Sequence, residues 1–205
     1  MQYLVHNKNK NMKTLKLIAV LLYVTISYSQ VTVEVPLGTL RNGQPNGTYF
    51  KDINGVLTKY IGTWEGVLNN KKYTFVFQLF PQHYINYPSG NYEYRDEVQV
   101  KFKVTDLLTN TVLYDGLSIT NYDDYLIYCA SRPYRGIFTC WYRDTPANCE
   151  NSLSFALKNI PGSINQLKYC QFEYDEWYKP TGCPYTYQTD IPHFLPMEEF
   201  ILTKL

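Results

Sequence analysis

Twenty-one tyrosines, five cysteines and three histidines are the side chains through which this chain of 205 residues could do chemistry. A tyrosine offers an apolar ring and a hydroxyl that both donates and accepts. The densest run is Tyr122, Tyr125, Tyr128, Tyr134, Trp141 and Tyr142. Such a set could line a site for a glycan, a lipid or an aromatic ligand. Tyrosine equally suits the half-wet surface of a strand, so the run also has a purely structural reading.

The cysteines, Cys129, Cys140, Cys149, Cys170 and Cys183, all lie in the C-terminal half. None forms a Cys-x-x-Cys pair, so neither a thioredoxin-like site nor a zinc ribbon is signalled. Pairing Cys129 with Cys140 and Cys170 with Cys183 would close two short loops, each holding Pro and Gly. A Cys140–Cys149 bridge across Asp144-Thr145-Pro146 competes, and spacing leaves the connectivity open. A free Cys149 could serve as a nucleophile only beside a histidine base, and His83 or His193 would have to supply it. The paired acids Asp123-Asp124, Asp175-Glu176 and Glu198-Glu199 point to opposite faces if they lie in strands, so none makes a two-carboxylate site. They read as solvated turn acids without calcium-loop spacing. No Gly-x-Ser-x-Gly, His-Glu-x-x-His or phosphate-binding glycine loop occurs. The expectation is a non-enzymatic protein with no cofactor and no metal.

The N-terminus sets the compartment. Lys13 and Lys16 precede the apolar run Leu17 to Val24, extended by Ile26, and Ser27-Tyr28-Ser29 follows. That order is the one of a secretory signal peptide. Translation from Met12 and cleavage after Ser29 are expected, making residues 1–29 a leader, and no cysteine follows to carry a lipid. The leader holds four lysines and no acid, so removing it takes the charge from 19 minus 18 to 15 minus 18, or −3. A slightly acidic chain lacks the clustered Lys and Arg that phosphate backbones require, which sets nucleic acid aside. No later run is long enough for a membrane span. In an oxidising compartment the cysteines would pair.

The elements that would position these groups are mostly strands. Residues 30–50, rich in Gly, Pro and Asn, read as an irregular arm, and residues 51–205 as one β-barrel domain. Asp52 is suited to cap a short helix through Tyr60, with Ile53, Val56, Leu57 and Tyr60 on one face. Beyond Gly62 the period becomes two. Tyr73, Phe75, Phe77 and Leu79 share one face, as do Val98, Val100, Phe102 and Val104, with Glu97, Gln99, Lys101 and Lys103 opposite. Asn69-Asn70 and Thr109-Asn110 read as hairpin turns. Further strands are expected at 111–120, 125–131, 136–142, 153–157, 167–174 and 199–205, the one at 167–174 with apolar residues on both faces. About nine short strands joined by turns indicate an all-β, antiparallel up-and-down barrel. The last strand, with Phe200-Ile201-Leu202, should pair with the first, because an open apolar edge aggregates.

Gly62-Thr63-Trp64, placed after the expected helical turn and before a hairpin, resembles the Gly-x-Trp opening of the calycins, the lipocalin- and avidin-like barrels. That resemblance implies a barrel in which Gly62 bends the chain and Trp64 covers one end. Lys51-Asp52-Ile53-Asn54, Lys72 to Phe77, Tyr94-Arg95-Asp96-Glu97, Val112 to Asp115 and Ile191 to Pro196 resemble an uncharacterised family of exported Bacteroidetes proteins. This second likeness implies export and an all-β domain and brings no activity. The function expected is binding of a small molecule by the barrel. The alternative is a structural or cell-surface interaction protein with a solid barrel core.

Overall fold

The computed structural model describes residue 31 and residues 33–205. The expected signal peptide, which would form an N-terminal helix, and its expected cleavage site lie outside the described residues. Eleven strands are present: β1 (Val33–Pro36), β2 (Thr48–Lys51), β3 (Gly62–Leu68), β4 (Lys71–Asn86), β5 (Tyr92–Asp106), β6 (Thr111–Asp115), β7 (Ile127–Cys129), β8 (Ile137–Asp144), β9 (Asn151–Asn159), β10 (Gln166–Tyr174) and β11 (Phe200–Lys204). Eight of them, β3, β4, β5, β7, β8, β9, β10 and β11, form a closed antiparallel barrel. They follow one another around the wall in chain order. The last strand meets the first, with Thr203 opposite Glu65 and Lys204 opposite Trp64. Gly66 permits that seam, since a Cβ there would sit 2.4 Å from the carbonyl oxygen of Ile201 and 2.7 Å from the Phe200 ring.

The longest strands organise the rest. The β4–β5 hairpin outruns the barrel. One edge of β5 pairs with β4 throughout. Its other edge is divided among β2 at residues 93–95, β7 at 99–100 and β6 at 103–106. The stretch expected to be an irregular arm therefore contains two strands, with β1 and β2 adding in parallel to the overhanging hairpin. Two buried acids secure this addition. Asp96 accepts from the Tyr49 hydroxyl at 2.5 Å and from the backbone N–H of Asp52 at 2.8 Å and Gln82 at 3.0 Å. Glu93, fully buried, pairs with Arg41 at 2.7 Å and Arg95 at 2.5 Å. Such acids would be costly unpaired and are held here by charged or multiple donors.

The barrel interior is filled with rings. Phe75 of β4 lies 6.0 Å from Phe102 of β5, 6.3 Å from Phe155 of β9 and 6.2 Å from Tyr169 of β10, centroid to centroid. Phe155 and Tyr169 are 4.7 Å apart, and Tyr169 reaches Phe200 of β11 at 5.2 Å. All five are inward members of the period-two pattern and are buried. Eight strands leave an interior that side chains of this size can fill. Outward positions of β5 carry Glu97, Lys101 and Lys103, so apolar groups face in and charges face out, the reverse of a lipid-facing barrel. Among the described residues no helix is long and apolar enough to cross a membrane.

Three expectations are corrected. Residues 52–61 form successive turns with hydrogen bonds of the i to i+3 type, not an α-helix. Gly55, at φ +63°, breaks the helical run. Asp52 still caps the segment, accepting from Val56 N–H at 2.8 Å and Leu57 N–H at 2.9 Å. Leu57 and Tyr60 are buried, whereas Ile53 and Val56 are exposed. Among the described residues eleven strands replace the expected nine, because the arm contributes two.

The disulfides are Cys129–Cys140 and Cys149–Cys183, with Cys170 free and buried. The first joins directly opposed residues of β7 and β8. The expected Cys170–Cys183 bridge fails because Cys170 is held in the wall opposite Ala156 of β9. The chain after Tyr174 leaves the sheet and folds over the β8–β9 turn, where Cys183 meets Cys149, Ile191 and Trp177. Cys140 is taken by Cys129, so the competing Cys140–Cys149 bridge is absent too.

Phe75→Ala should destabilise the protein by about 3–5 kcal/mol in urea unfolding, because it empties the point where rings from four strands meet. A loss under about 1 kcal/mol would contradict the packing described. Non-reducing peptide mapping should recover the 129–140 and 149–183 links, and Cys170→Ser should leave both intact. Loss of either link in that variant would show that Cys170 takes part in bridging.

Candidate functional site

The tyrosine run divides when it folds. Tyr142 points into the barrel and is 1% exposed, its hydroxyl donating to Asp144 at 2.8 Å. Tyr134 stands at the tip of the β7–β8 turn, exposed, with the Arg135 guanidinium 5.2 Å from its ring. The other four gather on the outside of the wall. Tyr128 of β7 and Trp141 of β8 are opposed across the ladder and stack at 5.5 Å. Tyr122 and Tyr125 belong to the connection between β6 and β7, which turns once at residues 122–124 and lies over the outer face of β4 and β5.

That connection is pinned by its own side chains. The Tyr122 hydroxyl donates to Glu97, and the Tyr125 hydroxyl donates to Gln78 at 2.8 Å. Phe80 meets both rings edge-on at 5.1 and 5.3 Å. His83 stacks on Tyr122 at 3.7 Å. Between the connection and the wall runs an open groove of about 310 Å³, lined by Glu97, Gln99, Tyr122, Asp123, Tyr125, Tyr128 and Arg143 among others. Arg143 also borders a second cleft of about 650 Å³ at the end of β8, with Asp144, Glu150, Asn151, Ser152, Asp175 and Glu176.

Two buried amides stand beneath these openings. Gln99 is 5% exposed, and its carbonyl oxygen Oε1 has no hydrogen-bond partner among the described residues. Asn151 is 1% exposed, and neither atom of its amide has a partner among the described residues. The cations beside the groove already have aromatic partners. Lys101 sits 5.7 Å from the Tyr125 ring centroid and Arg143 5.1 Å from that of Tyr128. Burial raises the pKa of Tyr122, Tyr125 and Tyr128, with the carboxylate of Glu97 adding to the effect at Tyr122. These phenols are therefore neutral hydrogen-bonding groups near pH 7 rather than bases.

The other chemical candidates disperse. Cys149 is bridged to Cys183, which removes it as a nucleophile. His83 is in the aromatic stack. His193 lies at the far end of β10, beside the Tyr174 hydroxyl at 3.3 Å and parallel to the Phe172 ring. Asp123 and Asp124 occupy an exposed single turn, and no cluster of acids, histidines and cysteines suited to a metal occurs among the described residues. Trp64 is buried at the opposite end from the second cleft. Its indole N–H donates to the Tyr60 carbonyl at 2.7 Å, and Lys204 lies 5.4 Å from its ring. Tyr60 in turn packs on Phe138 of β8 at 4.4 Å, so the turns before β3 reach across that end of the barrel. Gly62 takes φ +120° there.

Glu97, Gln99 and Arg143 complete the groove without having stood out in the sequence. Their one signal is placement on the outward positions of strands, and Gln99 is buried only because a connection more than twenty residues later in the chain folds over it. Compared with known proteins, the chain matches no family model, no curated protein and no solved structure.

Burial lowers the pKa of His193 below its ordinary value of 6.5. The folded protein holds the ring neutral while the unfolded chain protonates it, so stability falls as pH drops below about 6.5 and is unaffected above it. His193→Gln should remove that component. Urea unfolding from about pH 7.5 to about pH 5 should show the wild type losing stability relative to the variant at acid pH; a constant difference would contradict the assignment.

Proposed function

We propose that this is an exported, non-enzymatic binding protein, built as a calycin-like barrel, that engages its partner with the outer wall of β5, β7 and β8. The observation that carries this reading is the ring-filled interior around Phe75, which leaves the middle of the barrel to side chains. That interior favours a site on the outside, where the groove under Tyr122 and Tyr125 combines rings, hydroxyls and a buried acceptor that nothing among the described residues donates to. Such a mixture of apolar surface with a few placed polar groups is the composition of small-ligand and glycan sites. The two disulfides are compatible with export, since such bonds persist in oxidising compartments. The leader read in residues 1–29 supplies the route.

Fluorescently labelled protein should attach to intact cells of the organism that makes it. A Tyr128→Ser, Arg143→Ser variant should attach at least about tenfold more weakly, since each residue removed borders the groove. Native mass spectrometry of protein from its own cells should find no apolar small molecule carried by the two-disulfide chain. Undiminished attachment by the variant, or an apolar molecule retained in the mass spectrum, would overturn the proposal.

A further inference from the structure

We infer that the outer groove takes a neutral saccharide chain, a conclusion that rests on the outer-wall reading above and adds the chemical class of the ligand. The first argument is the unmet valence at the floor. Gln99 Oε1 can only accept, it is nearly buried, and nothing in the described protein donates to it. A buried acceptor left unpaired is costly, so a ligand that brings a donor recovers what folding gave up. Asn151, beneath the adjoining cleft, lacks partners among the described residues for both a donor and an acceptor. Hydroxyl groups donate and accept at once, and a saccharide presents many of them.

The second argument comes from the groups around the floor. Phenol hydroxyls, the Glu97 carboxylate and the Arg143 guanidinium bring donors and acceptors together in one groove. That mixture suits a row of hydroxyls better than a row of like charges. A cationic peptide would seek the carboxylates and the ring faces. Lys101 and Arg143 already lie against the Tyr125 and Tyr128 rings, which fills the cation–π positions and puts two positive charges beside the groove. An anionic chain would meet the acids of the second cleft, Glu150, Asp175 and Glu176 among them.

The third argument is continuity. Arg143 borders both openings, so the groove of about 310 Å³ and the cleft of about 650 Å³ adjoin at that residue. A ligand of several linked units can use both where a single unit cannot.

The test uses the purified protein with both disulfides formed. Cellotetraose, xylotetraose, mannotetraose, maltotetraose and chitotetraose are titrated, with hexalysine as the cationic alternative, and backbone amide shifts are followed by NMR. At least one tetrasaccharide should shift residues of β5, β7 and the 122–125 turn saturably. Its Kd should change by less than about twofold between about 0.05 and about 0.5 M salt, because no net charge is paired. The matching monosaccharide should bind at least about tenfold more weakly, and Gln99→Leu should weaken the tetrasaccharide about tenfold or more. Should Gln99→Leu not fold, Tyr125→Ser, at a half-exposed position, should show a clear loss in its place. Shifts with hexalysine alone, abolished by salt, would assign the groove to a basic peptide and overturn the inference. So would the absence of shifts with all five tetrasaccharides, or shifts that map to another face. In those cases attachment to cells that still depends on Tyr128 and Arg143 would leave the outer-wall function standing, whereas attachment indifferent to them would remove that reading as well.

Discussion

Rings from β4, β5, β9 and β10 meet at Phe75, and the character of the molecule follows from that contact. Each ring removes a large apolar area from water, and burial of that kind is the main favourable term in folding. Because the rings come from strands far apart in the chain, the interaction also sets the register. A slip of one residue would turn Phe75 outward and bring Thr74 or Val76 to the axis. The seam between β3 and β11 closes under the same demand. Gly66 gives up its side chain so that Phe200 can reach Tyr169 and Tyr73.

On the proposed reading, a filled interior moves recognition to the outside. The outer wall is therefore where polar groups are buried against the ordinary tendency of a solvent-facing strand. The connection that carries Tyr122 and Tyr125 covers Gln99 and leaves a groove beside it. The two ends of the barrel are closed by different means. Turns capped by Asp52 bring Leu57 and Tyr60 over one end, with Trp64 beneath them. A long loop tied by Cys149–Cys183 lies toward the other, and the Tyr169 hydroxyl holds it by donating to the Pro196 carbonyl at 2.9 Å. Long loops without structure of their own need such anchors.

Alternation made the barrel legible. Val98, Val100, Phe102 and Val104 on one face, and Tyr73, Phe75 and Phe77 on another, point inward as a period of two requires. Asn69 and Asn70, both at positive φ, make the two-residue hairpin turn their types suggest. The strand at 166–174 had apolar residues on both faces for a reason that periodicity hides. A bulge between Cys170 and Glu173, with Gln171 at φ +54°, shifts the register partway along. The helix expected at residues 52–60 was a matter of local preference, and Gly55 with the Asp52 carboxylate favoured turns instead.

The sequence by itself determined the class of fold, the inward rings of β4 and β5 and the pairing of the last strand with the first, since all three follow from side-chain period and from the cost of an open apolar edge. Opposed strands bring Cys129 to Cys140, a pair their close spacing already favoured. Only the tertiary structure decided the partner of Cys183, because the loop that carries it leaves the sheet and returns over a distant turn. It also separated Tyr142 and Tyr134 from the four aromatics that share the outer wall, and it buried Gln99. Those outcomes depend on which face of a strand a later segment covers, and a one-dimensional pattern carries no record of a covering made from far along the chain.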